Sequence, residues 1–194
     1  MTKTIHDQLF DACYNNGTLD DVKRLVAQGA DPMQAIGEEF VVPYIRQKST
    51  YIDGETVDRK DFDLGNCVIS TKGSTEKFRY TCWCVLCMNA KLDILKYLIE
   101  YSHPDLNADL CYGGQMILVA AGNYYALKHK RISQLDEADA KLLNDYLSVI
   151  TYLARAGADP NIRDEYDNSV YSYVGDDENI CSYIHQEAHR HGYE

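Results

Sequence analysis

Apolar residues recur at helical spacing along the chain, and each run is followed by a residue that ends a helix. In the first run they fall at i, i+3, i+6 and i+7 and are Leu19, Val22, Leu25 and Val26. Thr18 can cap the start of this helix, and Gly29 stands where a left-handed residue would end it. The same ending, Gly-Ala-Asp-Pro, returns at residues 157–160. The pattern predicts helices built from a repeated unit.

Further copies of the unit follow the first. The second copy has the same apolar spacing at Leu92, Leu95, Leu98 and Ile99. Pro104 ends that helix. The third copy is divided between "GGQMILVAAGN" and "YLSVITYLARAGADPN", and the fourth starts at "RDEYDNSVYSYV" and becomes irregular. Units of this kind bury their apolar faces by stacking on their neighbours.

These motifs resemble the ankyrin repeat, and "GTLDDVKRLVAQGADP" is the most specific match. The resemblance implies a mainly all-α fold, a solenoid of antiparallel helix pairs with a finger after each pair. It implies one domain over residues 1–194, with repeats at about 5–33, 76–109, 110–162 and 163–190. No repeat keeps the family's intact Thr-Pro-Leu-His sequence, so we expect each inner helix to be capped less ideally.

Two insertions interrupt the pattern. In the first, at about residues 34–75, Asp53-Gly54 separates two β-prone segments, which predicts an inserted β-hairpin. A disordered loop is the alternative, although the apolar content of the segment argues against it. The second insertion, at about 124–145, reads as helix, turn, helix and predicts a lengthened helical arm. Ser133 followed by Asp136 resembles a capping box in that arm.

The net charge of the chain narrows the possible partners. At 194 residues and a formal charge of −11, direct nucleic-acid binding is not expected, because phosphate contacts need clustered Lys and Arg. A protein partner with a basic or mixed surface is favoured. The acids concentrated at residues 159–179 leave open an alternative, an acidic inhibitor that mimics nucleic acid. No apolar run reaches the length of a membrane span. Seven cysteines without a disulfide framework suit the cytoplasm.

Each candidate pattern of catalytic or metal-ligating residues has a simpler structural explanation. Cys84 and Cys87 have zinc-like spacing but lack a second pair, so core packing is the favoured interpretation. His185 and His189 lie one helical turn apart and could hold a transition metal, although an exposed helix end explains them more simply. We find no catalytic motif. We therefore expect no cofactor, no metal and no enzymatic activity.

The ankyrin resemblance implies that a partner is bound by finger tips and by the exposed face of the inner helices. The family's variable positions correspond here to Lys77, Phe78, Tyr80, Met88, Asn89, Tyr112, Asn123, Glu165, Tyr166 and Asn168. One finger position is aromatic in three repeats and is occupied by Phe78, Tyr112 and Tyr166. Rigid aromatic side chains are typical of interface hot spots, but neighbouring fingers could also stack these rings on each other.

The sequence therefore predicts a non-enzymatic protein-interaction module that occludes or tethers one dedicated protein partner. The irregular repeats and unique insertions suggest an effector or inhibitor of the kind found in bacteria, phages and viruses. This inference rests on analogy of fold. The sequence leaves the oligomeric state and the identity of the partner open.

Overall fold

The computed structural model describes residues 3–15, 17–37, 40–41, 77–78, 80–111, 114–129, 136–164, 166–175 and 177–193. Within these ranges the chain is mainly helical, which confirms the predicted class. The helices are α1 (Ile5–Tyr14), α2 (Leu19–Ala27), α3 (Cys82–Met88), α4 (Leu92–Ser102), α5 (Met116–Lys128), α6 (Glu137–Ala156), α7 (Val170–Val174) and α8 (Glu178–His191). A 3₁₀ turn spans Pro32–Gln34, and two short strands are β1 (Phe40–Val41) and β2 (Lys77–Phe78).

The helices form two layers in which successive pairs lie side by side. In one layer α1 contacts α3, α3 contacts α5, and α5 contacts α7. In the other layer α2, α4, α6 and α8 contact one another in the same order. The two helices of each pair also contact each other. The buried apolar residues consequently form one core that extends from Leu9 to Ile184, so each pair is covered by its neighbours.

Capping boxes explain where α1 and α2 begin. The Thr18 hydroxyl accepts a hydrogen bond from the Asp21 amide at 3.2 Å, and the Asp21 carboxylate accepts one from the Thr18 amide at 3.1 Å. Thr4 and Asp7 form the same reciprocal pair. The hydrogen bonds from Thr4 and Thr18 lower the pKa of Asp7 and Asp21, because they favour the charged carboxylate. The predicted cap at Thr18 is confirmed.

The start of α6 differs from its prediction. The cap is Asp136, whose carboxylate accepts a hydrogen bond from the Asp139 amide at 2.9 Å, so the capping box predicted at Ser133 is wrong for this helix. Aspartate caps a helix as well as serine does, and Asp139 completes the reciprocal pair. The two helices that extend into the second insertion are long, with 13 residues in α5 and 20 in α6. Their lengths agree with the predicted lengthening.

The two Gly-Ala-Asp-Pro segments end their helices in the same way. Gly29 has φ = 95° and Gly157 has φ = 105°, a left-handed conformation that glycine adopts without steric cost. The Ala30 amide then donates to the Leu25 carbonyl at 3.0 Å. In the second segment the Ala158 amide donates to the Leu153 carbonyl at 2.9 Å. The predicted left-handed helix ending at Gly29 is confirmed.

The ends of the first insertion are held together. Strands β1 and β2 pair antiparallel, with Phe40 opposite Phe78 and Val41 opposite Lys77. Beneath this ladder, Ile36 forms an isolated antiparallel bridge with Thr81. The insertion therefore leaves and rejoins the stack at adjacent points. The hairpin turn predicted at Asp53-Gly54 lies outside the described residues.

Candidate functional site

The structure describes eight of the ten residues predicted to contact a partner, six of them with side chains, on or beside the neighbouring helices α3, α5 and α7. Tyr112 and Glu165 lie outside the described residues, and Lys77 and Phe78 are described only as backbone in β2. Three others lie at the two ends of α3 and are Tyr80, Met88 and Asn89. The remaining three belong to α5 and to the loop before α7 and are Asn123, Tyr166 and Asn168. The aromatic row of Phe78, Tyr112 and Tyr166 stays a prediction.

Helix α3 is enclosed by other parts of the chain. Residues 82–87 are all buried, so this helix is apolar on every side. Met88 is half-buried: its Sδ lies 3.6 Å from the Sγ of Cys84, and its carbonyl accepts a hydrogen bond from the Tyr146 hydroxyl at 2.5 Å. Asn89 is exposed at the helix end. A partner can therefore reach α3 only at its last turn.

A small groove lies beside the start of α3. It has a volume of about 230 Å³ and is lined by Met33, Thr81, Trp83, Asp109 and Leu110. The Thr81 hydroxyl donates to the Leu110 carbonyl at 2.5 Å, and the buried indole N–H of Trp83 has no acceptor among the described residues. Asp109 is the one ionisable side chain of these five. These five described residues therefore do not include a paired acid and base.

Asp164 organises the described residues of the loop before α7, which are 163–164 and 166–168. Its Oδ1 accepts hydrogen bonds from the amides of Tyr166 and Asn168, both at 2.9 Å. Its Oδ2 accepts one from the Tyr173 hydroxyl on α7, and the Asn168 Nδ2 lies 3.5 Å from the same hydroxyl oxygen. These bonds fix the loop on α7. The Tyr166 side chain is presented on it with 58% of its surface exposed.

Three aromatic rings connect α5 to this loop, and we call Tyr125, His129 and Tyr173 the aromatic cluster. The ring centroids of Tyr125, in the last turn of α5, and of His129, which caps the end of that helix, are 3.9 Å apart. Tyr125 also meets Tyr173 edge to face, with centroids 5.7 Å apart. Tyr125 is 40% exposed. Because these rings hold one another in place, they offer contact area at low entropy cost.

The charge around the aromatic cluster is mixed. The Lys128 Nζ lies 5.5 Å from the ring centroid of Tyr124, beside the cluster on α5. On the loop, Arg163 and Asp167 form an exposed ion pair with 3.4 Å between Nη1 and Oδ2. Asp164 uses its carboxylate within the loop. Among these described residues, two basic side chains therefore accompany two acidic ones.

The sequence analysis did not single out the aromatic cluster. Tyr125 and His129 carried one usable signal, since residues four apart on a helix lie on the same face. No pattern in the sequence pointed to Tyr173. Its contact with Tyr125 results from the packing of α5 against α7, which are far apart in the sequence.

Five thiols in the described part of the chain are buried, and they are Cys13, Cys82, Cys84, Cys87 and Cys111. Burial raises the pKa of Cys82 and Cys111 well above its ordinary value, and hydrogen bonding among the neighbouring thiols adds to the effect. At neutral pH these two groups are thiols, which are poor nucleophiles. The burial of Cys84 and Cys87 agrees with their interpretation as core residues.

The described ranges contain no group of three or more His, Cys, Asp or Glu side chains placed to hold a metal ion. None of their helices combines the length and apolar character of a membrane span. Compared with models of known protein families, the chain matches none, and it matches no curated protein either.

Proposed function

We propose that this chain is a non-enzymatic protein-binding module of the ankyrin-repeat type, which occludes or tethers one dedicated protein partner. Three features support the repeat assignment. Helix pairs stack in two layers, the pairs contact their immediate neighbours, and the two Gly-Ala-Asp-Pro segments end their helices with the same hydrogen bonds. Stacked pairs of this type form extended surfaces suited to binding proteins.

The observation that carries the proposed binding role is the aromatic cluster together with the exposed ring of Tyr166. Exposed aromatic side chains whose neighbours already fix them lose little entropy on binding, which is the property of hot-spot residues. The mixed charge nearby suits a partner with a basic or mixed surface. The Asn168 Nδ2 lies 3.5 Å from the Tyr173 hydroxyl oxygen, so this predicted residue adjoins the proposed contact. Asn123, two residues before Tyr125 on α5, lies on a different face of that helix.

Two further observations support the absence of catalysis in this proposal. The raised pKa of Cys82 and Cys111 removes two buried nucleophiles, and the groove beside α3 lacks an acid–base pair among its five lining residues. The buried free thiols also suit a reducing compartment, which supports the proposed cytoplasmic location.

The alternative, an acidic inhibitor that mimics nucleic acid, has less support. Carboxylates of the acidic segment are used to shape the chain: Asp159 accepts the Asn161 amide at 2.9 Å, and Asp177 caps α8 by accepting the Ile180 amide at 3.1 Å. The positions of these two carboxylates are therefore set by the turn and the cap that they stabilise, and not by the spacing of phosphates along a nucleic acid. Competition between this chain and DNA for one protein, with a steep dependence on salt, would favour the alternative.

The test begins with a partner recovered from the native host by affinity purification and identified by mass spectrometry. Its Kd is then measured with the double variant Tyr125→Ala/Tyr166→Ala. The control is Tyr14→Ala/Tyr101→Ala, which removes two tyrosines that are each 53% exposed elsewhere on the chain. We expect the first pair to weaken binding at least roughly 30-fold, as for hot-spot residues, and the control to leave the Kd unchanged.

A third variant, Phe78→Ala/Tyr112→Ala, separates the predicted finger row from the aromatic cluster. If it weakens binding while Tyr125→Ala/Tyr166→Ala does not, contact lies along the fingers and the role of the aromatic cluster is rejected. If all three pairs leave the Kd unchanged in folded protein, neither surface binds this partner. Circular dichroism of each variant establishes that it is folded.

A further inference from the structure

Helix α8 carries two exposed histidines that face each other across one turn. The Nε2 atoms of His185 and His189 are 3.0 Å apart. Their ring centroids are 4.3 Å apart, and the ring planes are inclined at 80°. We propose that this pair is a bidentate site for a divalent transition-metal ion, and that its geometry suits Cu²⁺ or Ni²⁺. The proposal is independent of the protein-binding role.

The distance between the nitrogens determines the coordination geometry. Imidazole nitrogens bind such ions at about 2.0–2.1 Å. Two nitrogens 3.0 Å apart therefore subtend an angle of about 91–97° at the ion. This is the angle between neighbouring ligands of a tetragonal or octahedral ion, and it is smaller than the ~109° of tetrahedral zinc. Imidazole is also a preferred ligand of copper and nickel.

The turn that carries the pair is held in place. Ile184, Glu187 and Ala188 are buried, and α8 packs on α6. Beyond the pair, the His191 Nε2 lies 3.0 Å from the Arg155 carbonyl oxygen, and the Tyr193 hydroxyl donates to the Gly157 carbonyl at 2.9 Å. The helix end is therefore anchored, and both histidines project from an ordered turn. This order reduces the entropy lost when two side chains chelate one ion.

Binding requires a rearrangement of one proton. In the neutral pair, one Nε2–H donates to the other Nε2. For both nitrogens to bind the ion, the donor ring moves its proton to Nδ1, so two neutral imidazoles bind without net proton release. Both rings are exposed, so water can accept from the new Nδ1–H. With two protein ligands, the remaining coordination positions belong to water, because the described residues place no third ligand there.

The test is calorimetric titration of the full chain with NiCl₂, together with electron paramagnetic resonance of the Cu²⁺ complex. We expect one ion per chain and a Cu²⁺ spectrum with two nitrogen ligands. His185→Ala and His189→Ala should each weaken binding by about 100-fold, because losing one arm of a chelate removes its effective concentration. The double variant should bind at least as weakly as either single variant, because it also removes the remaining imidazole.

Two control variants test whether binding depends on this pair of rings and not on the presence of histidine in general. His103→Asn removes an imidazole from a left-handed position that asparagine tolerates, and it should leave the Kd unchanged. Ser182→His/His185→Gln keeps the histidine count but places the two rings seven residues, or about 10 Å, apart along the helix. It should bind as weakly as the single variants. The proposal is overturned if this variant, or either alanine variant, keeps wild-type affinity while folded, or if the wild-type chain binds no ion.

Discussion

The two Gly-Ala-Asp-Pro turns have the same backbone but different attachments. Both place glycine at positive φ and return the next amide to the helix. The amide of Asp31 then donates to the Nδ1 of His6 at 3.0 Å, within the first helix pair. The amide of Asp159 donates instead to the Oδ1 of Asn107 at 2.7 Å, which follows the second pair. The repeated motif thus specifies the turn, and non-repeated residues decide what the turn is attached to.

The largest expected difference between the two regions lies in the leucines before the turns. Leu25 and Leu153 are both buried, and replacing either by alanine should lower the free energy of unfolding by about 2–5 kcal/mol. We expect Leu153→Ala to cost more, because α6 packs between α4 and α8 whereas α2 has one such neighbour, α4. Urea unfolding at constant m-value measures both. Equal losses would mean that the inner position in the stack confers no additional packing.

The glycines provide the next comparison. Gly29→Ala and Gly157→Ala should each destabilise by about 1–3 kcal/mol, because both replace glycine at positive φ. An added Cβ meets nothing within 4 Å at Gly29 and only the His191 ring at 3.6 Å at Gly157, so the costs should be similar. Gly122→Ala, in the interior of α5 with free space around it, is the matched control and should stabilise by up to about 1 kcal/mol. A much larger loss at Gly157 would show that contact with α8, and not backbone strain, dominates there.

The third comparison concerns the side chains that accept hydrogen bonds from the amides of Asp31 and Asp159. Asn107→Ala and His6→Ala each leave one amide without its acceptor, at an expected cost of about 1–3 kcal/mol. We expect the Asn107 variant to lose more, since its Nδ2 also donates to the Tyr193 hydroxyl at 2.9 Å. Asn107→Asp keeps the acceptor and loses that donor. Thermal unfolding of the three variants separates the two bonds, and equal stability of Asn107→Ala and wild type would reject this role.

The smallest expected effect concerns two lysine–tyrosine contacts, which join α2 to α4 and α4 to α6. The Lys23 Nζ lies 5.8 Å from the ring centroid of Tyr97, and the Lys96 Nζ lies 5.2 Å from that of Tyr152. Lys23→Met and Lys96→Met keep the aliphatic stem and remove the charge, so each should cost about 0.5–1 kcal/mol. Loss of the shorter contact, in Lys96→Met, should lower the free energy of unfolding more than Lys23→Met. Repeating the unfolding in high salt checks the electrostatic origin, because screening should reduce both differences.

Local patterns in the sequence predicted the helices and their ends. Thr18 and Gly29 act through their own backbone neighbours, so their roles follow from a few adjacent residues. The start of α6 was misplaced because Ser133 and Asp136 are both good caps, and the choice depends on which residue meets its reciprocal partner. In the structure Asp139 completes the reciprocal pair with Asp136, and α6 begins after Asp136.

The candidate site depended on information that no local pattern contains. Burial of α3 on every side and the contact between Tyr125 and Tyr173 both arise from packing of distant segments. The family resemblance nevertheless selected Tyr166 and Asn168, which lie on the loop that Asp164 fixes beside the aromatic cluster. The sequence could therefore name residues on this loop, whereas the residues that support the loop could not be named from it.

The pairing of Val41 with Lys77 has a consequence for how this protein can change over evolution. The chain departs from the helices and returns one strand spacing away, about 5 Å. The entropy of closing a loop rises only slowly with its length, by about 0.6 kcal/mol for each doubling. Segments of other lengths, or a whole folded domain, can therefore be inserted between these two residues at little cost to the stability of the helices on either side. This is the position at which one insertion can be replaced by another during evolution.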